Sequence, residues 1–173
     1  MIPEIDTQLA AVIKSLSDNV LPALDGGNPM AVEQMQLCLA TLGLIKGHLP
    51  DWHRYQRRDL ETHLALAAEL ARLAAGAGIV QDALIAALGA GADALDNPEL
   101  GAHEIEREAR HLKDGIAHLI NASRGSAAER AMATAVLRAE ETVILRSRAW
   151  SIGMGFEPDP TQIPSLQHLL RKD

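Results

Sequence analysis

The chain has 173 residues, including 29 alanines and 25 leucines but only four aromatic residues, and 16 Lys+Arg against 23 Asp+Glu give a formal charge of −7. That is the length of one ordinary domain, and the composition is that of a helical protein whose core is built from small aliphatic side chains. A net negative chain argues against a nucleic-acid partner, which needs clustered Lys and Arg; the densest basic patch, Arg54, Arg57 and Arg58, is followed at once by Asp59 and Glu61.

Met1-Ile2-Pro3-Glu4-Ile5-Asp6 lacks the basic start and apolar core of a secretory signal. The least charged stretch, Leu73 to Ala92, is interrupted by Asp82 and four glycines, so no membrane span is expected. The single cysteine, Cys38, has no partner for an internal disulfide and reads as a small buried hydrophobe in an apolar helix. A cytoplasmic setting is the expectation.

Punctuation divides the chain into six helical segments and a tail. The first runs from about Pro3 to Leu24, with Leu9, Val12, Ile13, Leu16 and Val20 at helical spacing and Pro22 placed to kink or end it. Gly26-Gly27 closes the connection, and Asn28-Pro29 is a cap followed by proline at the first helical position, opening a segment that lasts to Gly47 or Pro50. The third segment runs from about Asp51 to Ala75 and stops at Gly76-Ala77-Gly78. The fourth, about Ile79 to Leu95, carries Val80, Leu84, Leu88 and Leu95 on one face. Asn97-Pro98 repeats the cap-plus-proline signal and opens a fifth segment ending near Asn121 to Gly125. Ser126-Ala127-Ala128-Glu129 has the form of a capping box and starts the sixth, which continues to about Trp150. After Gly153 and Gly155 come Pro158, Pro160 and Pro164, an extended tail with one last turn at Ser165 to Leu170. No strand pattern occurs. The expected fold is all-α: a single-domain bundle of about six helices over residues 1–155, with residues 156–173 as a tail packing on it.

Helical projection at 100° per residue locates the polar groups. The second segment has the stripe Val32, Met35, Leu39, Leu42 and Leu49, and also Met30, Leu37 and Leu44 on the opposite side. Such a helix is either central in the fold or part of an oligomer interface, and Met30, Leu37 and Leu44 are the candidate interface of a homodimer. In the third segment Gln56 and His63 fall inside the stripe of Trp52, Leu60, Ala67, Leu70 and Ala74. In the sixth, Glu140 and Ser147 fall among Met132, Val136, Val143 and Trp150. Gln56, His63, Glu140 and Ser147 are therefore the candidate pocket. A carboxylate at position 140 inside an Ala/Leu core has to be paired. It should be mostly buried and within reach of a His, Arg or backbone donor on another helix. Its removal by Glu140→Ala should then cost about 3–5 kcal/mol.

The spacing Glu108-x-x-His111 matches half of a di-iron bundle motif, but the second Glu-x-x-His is missing. His111 and His118 also project away from the face of Ile105, Ala109, Leu112, Ile116 and Leu119. No metal, no cofactor and no catalytic residue are expected.

The run Val20-Leu21-Pro22-Ala23-Leu24-Asp25-Gly26, followed by a small-residue apolar helix, resembles a bacterial helical domain family of unknown function. Its members occur beside aminoglycoside-phosphotransferase-like kinases and acyl-CoA dehydrogenases. The resemblance covers about Leu9 to Leu49; the stretch Met30 to Gln36 lacks the aromatic and the arginine with which the family's second helix begins. It implies an accessory protein near acyl-CoA metabolism and a partner enzyme, and it assigns no site residue. The leading expectation is a non-catalytic helical accessory or assembly protein. The alternative is a small-molecule-binding bundle or weak enzyme with a pocket around Gln56, His63 and Glu140. A cavity touching His63 and Glu140 together favours the alternative; a large apolar contact between copies favours the first.

Overall fold

Proline, glycine and short polar side chains set the helix ends in the computed structural model of the chain, which describes residues 4–171. Helix α1 is Ile5–Ser15; the expected start at Pro3 lies outside the described residues. Pro22 has no N–H to extend the helical ladder, and the chain approaches it through a widened π turn at Leu16–Val20 and a 3-10 turn at Leu21–Ala23. Helix α2, Pro29–His48, is capped as expected, the Asn28 side chain accepting from the Ala31 N–H at 3.2 Å. Next come α3, Trp52–Gly76, and α4, Asp82–Asp96. They are followed by α5, Ala102–Ala122, α6, Glu129–Ser151, and the short α7, Leu166–Leu169. The fold is all-α, with no strand among the described residues.

Two starts differ from the sequence reading. Asn97 caps a turn rather than a helix, its side chain accepting from the Glu99 N–H. Helix α5 begins after Gly101, whose N–H donates to Glu104. At Ser126 the capping box is displaced: Glu129 reaches past Ser126 to the Gly125 N–H, and the Ser126 hydroxyl takes the Ala128 N–H. The extra residue is absorbed at Gly125, where φ is +75°, a value that glycine adopts without strain.

The helices sort into two compact units. The first takes the residues up to Pro50 together with Arg148–Pro164; the second takes Asp51–Ser147 and the residues from Ser165 on. The region after Gly155 is thus shared between them.

The second unit holds the main core. Leu60, Leu66, Ala67, Leu70 and Ala74 of α3 pack with Leu84 and Ala94 of α4 and with Ile105, Ala109, Leu112, Ile116 and Leu119 of α5. Val80 lies before α4 and is 79% exposed, so the inward face of α4 is Leu84, Leu88, Gly91 and Ala94 instead. Trp52, expected in the α3 stripe, is 36% exposed. From α6, Ala128, Met132 and Ala135 join this core. The expected last turn is α7, with Ser165 as its cap and Leu166 and Leu170 buried.

In the first unit α1 and α2 contact each other, and Lys46 pairs with Asp6. The turn Ile152–Met154 lies against α2, where Leu44 sits beside Gly153, and His48 stacks on Trp150 with ring centroids 4.4 Å apart. Arg148 makes a two-bonded pair with Glu157, at 3.0 and 2.7 Å, which holds the Glu157 carboxyl below its ordinary range and raises the Arg148 guanidinium. Yet no described residue up to Pro50 is buried. Within the first unit α2 is therefore not enclosed: Met30 and Leu37 are exposed and Leu44 is half-buried. Cys38, expected inside, is also exposed.

Two glycines one turn-half apart on α4 test the close approach of α3 and α4. A Cβ on Gly91 would lie 3.0 Å from Leu64 and 3.3 Å from Leu60, whereas nothing lies within 4 Å of Gly89. Gly91→Leu should therefore destabilise the protein by about 1–3 kcal/mol through overpacking. Gly89→Ala should stabilise it by roughly 0.5–1 kcal/mol through helix propensity. Chemical denaturation of both variants measures the contrast.

Candidate functional site

Helix α3 carries an unusual buried polar face. Gln56, Asp59 and His63 are each less than 10% exposed and succeed one another along the side that also buries Leu60 and Leu66. The His63 Nδ1–H donates to the Asp59 main-chain oxygen at 2.7 Å, an interaction one helical turn back. In a neutral ring this bond places the proton on Nδ1 and leaves Nε2 as an acceptor. The Asp59 carboxylate lies 3.4 Å from the same Nδ1 and accepts from Lys113 Nζ of α5 at 2.7 Å. Asp59 thus bridges two helices.

A trough of about 440 Å³ runs beside this cluster. His63 and Leu66 of α3, Lys113, Ile116 and Ile120 of α5, and Val136, Glu140 and Val143 of α6 line it. Its walls are aliphatic. Its polar groups are His63, Lys113 and Glu140, and no Ser, Thr or Cys among the described residues lines it. The arrangement therefore offers hydrogen-bonding and charge recognition but no hydroxyl or thiol nucleophile.

Of the four residues singled out by projection, two meet here. His63 and Glu140 line the trough together. Gln56 is buried on the same face of α3, two turns earlier, and is not part of the lining. Ser147 is exposed, its hydroxyl 3.3 Å from the Tyr55 hydroxyl. Glu140 is half-buried rather than mostly buried, and it has no hydrogen-bond or ion-pair partner among the described residues. The cause is a rotation of α6 about its axis. Projection weights valine above alanine, but the buried positions of α6 are Met132, Ala135, Arg146 and Ala149, with Ala128 buried just before its start. Small side chains let the helix close on its neighbours, while Val136 and Val143 line the trough wall.

The buried ion on α6 is instead Arg146, 3% exposed. It donates from Nη2 to the Thr62 hydroxyl at 2.7 Å and lies 6.0 Å from the centre of the Tyr55 ring. Burial pushes its pKa below the ordinary arginine value, and the nearby Asp59 charge acts the other way. Sequence reading missed Arg146; it placed Asp59 within one turn of His63, where the two meet, but not its bond to Lys113. Each is a charged residue one step off an apolar stripe, and the Thr62 partner of Arg146 and the Lys113 partner of Asp59 lie on other helices.

His111 and His118 are exposed on α5, as the projection indicated. No cluster of three or more His, Cys, Asp or Glu side chains with metal-binding geometry occurs among the described residues. No helix among the described residues is long and apolar enough to cross a membrane. Comparison with protein-family models, with curated proteins and with solved structures gave no match.

The unpaired state of Glu140 reverses the stability expected from sequence. Glu140→Ala should change unfolding free energy by no more than about 0.5 kcal/mol. Asp59→Ala, which removes the acceptor of Lys113 and leaves the buried His63 end of the cluster without its carboxylate, should cost about 1.5–3 kcal/mol. Urea titrations of the two variants beside wild type give the comparison.

Proposed function

We propose that the protein is a non-catalytic helical module that assembles with a second copy of itself through α1 and α2. One observation carries this reading: α2 is 20 residues long and apolar on two opposite sides, and none of its residues is buried. Helix α1 and the segment after Arg148 do not enclose such a helix within the first unit, because a helix apolar on two sides needs neighbours on both. A second copy supplies two more helices and makes a four-helix arrangement with a two-fold axis, the commonest symmetry of homo-oligomers. Ile5, Val12, Met30, Leu37 and Ile45 are each 41–65% exposed. They offer on the order of 500 Å² per copy, so a face-to-face pair reaches the roughly 1,000 Å² total that a specific interface needs. The candidate interface of Met30, Leu37 and Leu44 is retained in this proposal.

Light scattering after size exclusion is expected to give twice the chain mass for wild type and one chain mass for Met30→Glu/Leu37→Glu. A monomeric wild type ends the self-assembly reading. If a partner enzyme then restores a complex, the accessory role implied by the N-terminal resemblance takes its place.

A second reading is favoured by the trough that touches His63 and Glu140 together. Its volume falls within the ordinary range for small-molecule sites, about 300–1,000 Å³. Aliphatic walls and an unpaired carboxylate fit a small amphipathic amine, with its donor toward Glu140 and the His63 Nε2 acceptor. Calorimetric titration with octylamine is expected to saturate, to weaken about ten-fold in Glu140→Gln, and to exceed binding of octanoate. Absence of saturable binding by octylamine removes this reading.

A further inference from the structure

A second cleft, of about 610 Å³, opens on the N-terminal half of α3. It is lined by His53, Arg54, Arg57, Arg58 and Glu61 of α3 and by Arg171, which follows α7. Four guanidinium groups therefore converge on one cleft in a chain whose formal charge is −7. We propose that this cleft is a binding site for a phosphate monoester group of a small molecule.

The internal partners of these cations do not exhaust them. Arg58 is committed, donating to Glu61 and, from Nε at 3.2 Å, to the Leu170 main-chain oxygen. That second bond ties the segment bearing Arg171 to α3. Arg54 has only a long 3.4 Å contact with Asp51. Arg57 has no carboxylate partner: its Nη2 donates to the Leu95 main-chain oxygen, and its Nη1 is a buried donor with no hydrogen-bond partner. A buried donor left unmade costs roughly 1–3 kcal/mol, so a small turn of the Arg57 guanidinium toward the cleft would be rewarded by an acceptor there. Asp59, which follows this basic run in sequence, is turned to Lys113 and does not neutralise it.

The chemistry selects the ligand. Glu61 offsets Arg58, and among the described residues Arg57 and Arg171 have no carboxylate partner, with Arg54 only loosely paired. A surplus of about two charges matches a phosphate dianion, and guanidinium groups present paired N–H donors to its three terminal oxygens. A carboxylate, with two oxygens and a single charge, satisfies one guanidinium fork and leaves the others unmet. No tryptophan, tyrosine or phenylalanine among the described residues lines the cleft, and the recognition rests on the guanidinium groups.

Isothermal titration with inorganic phosphate as the probe, at constant ionic strength and with sodium acetate as the matched control, tests the proposal. Saturable phosphate binding is expected, with acetate at least ten-fold weaker. Arg57→Gln and Arg171→Gln should each weaken phosphate binding by about ten-fold or more, the loss of one charge-assisted interaction. Arg171→Gln alters an exposed position beyond the last helix and leaves the fold intact, so its result stands even if Arg57→Gln unfolds the protein. Equal binding of acetate and phosphate, no saturable phosphate binding by wild type, or unchanged affinity in Arg171→Gln overturns the proposal. Glu140→Gln should leave phosphate affinity unaltered, which separates this cleft from the trough.

Discussion

The close approach of α4 to α3 and α5 is the constraint from which the rest of the second unit follows. Gly91 and Gly115 have no Cβ, and an added one would press on Leu64 and Leu60 in the first case and on Leu84 in the second. With so few aromatic side chains, the core gains its density from short distances between helices rather than from large groups, and small residues at the crossing points make those distances available. Leu60, Leu70, Leu84, Ile105 and Leu112 are each nearly or wholly removed from solvent as a result. Each such side chain contributes about 1.5–3 kcal/mol of transfer free energy.

Helix α6 obeys the same rule with a different outcome. It presents alanines and Met132 to the core and leaves its valines at the edge, so a tight seam and an open trough lie on adjacent sides of one helix. The charged groups of the unit are arranged around this geometry. Asp59 joins α3 to α5 through Lys113, and Arg146 joins α6 to α3 through Thr62. Such buried charged links are costly to desolvate and add little net stability, but they fix the register of the helices they join. Glu140, which has no such link, is free to meet something that enters the trough.

The first unit presents the converse case. Its helices are well formed, with Asn28 capping α2 and Pro22 ending the run that begins in α1, and they still bury none of their own side chains. Local signals suffice to make helices; enclosing a helix that is apolar on two sides takes more surface than α1 and the turn Ile152–Met154 supply. The shortage of cover on α2 is therefore a property of the number of helices in the unit rather than of any single residue.

What the sequence by itself determined follows from interactions within a few residues. The Asn28-Pro29 start, the stop at Gly76 to Gly78, the outward aim of His111 and His118, and the burial of Gln56 and His63 all depend on backbone hydrogen bonding or on 3.6-residue periodicity. Asn97-Pro98 and Ser126 show the limit of such signals: the same residue types serve a turn as readily as a helix, and here they bond one residue off the expected partner. The tertiary structure alone decided the rest. Which side of α6 faces inward depends on how closely neighbouring helices can approach, so alanine outranks valine there although it is the less hydrophobic residue. Asp59 meets Lys113 across 54 positions, and Arg58 meets the Leu170 oxygen across 112, bringing Arg171 to a basic run that the sequence shows beside acidic residues. Charge pairing acts through space, and neither separation leaves any periodic trace along the chain.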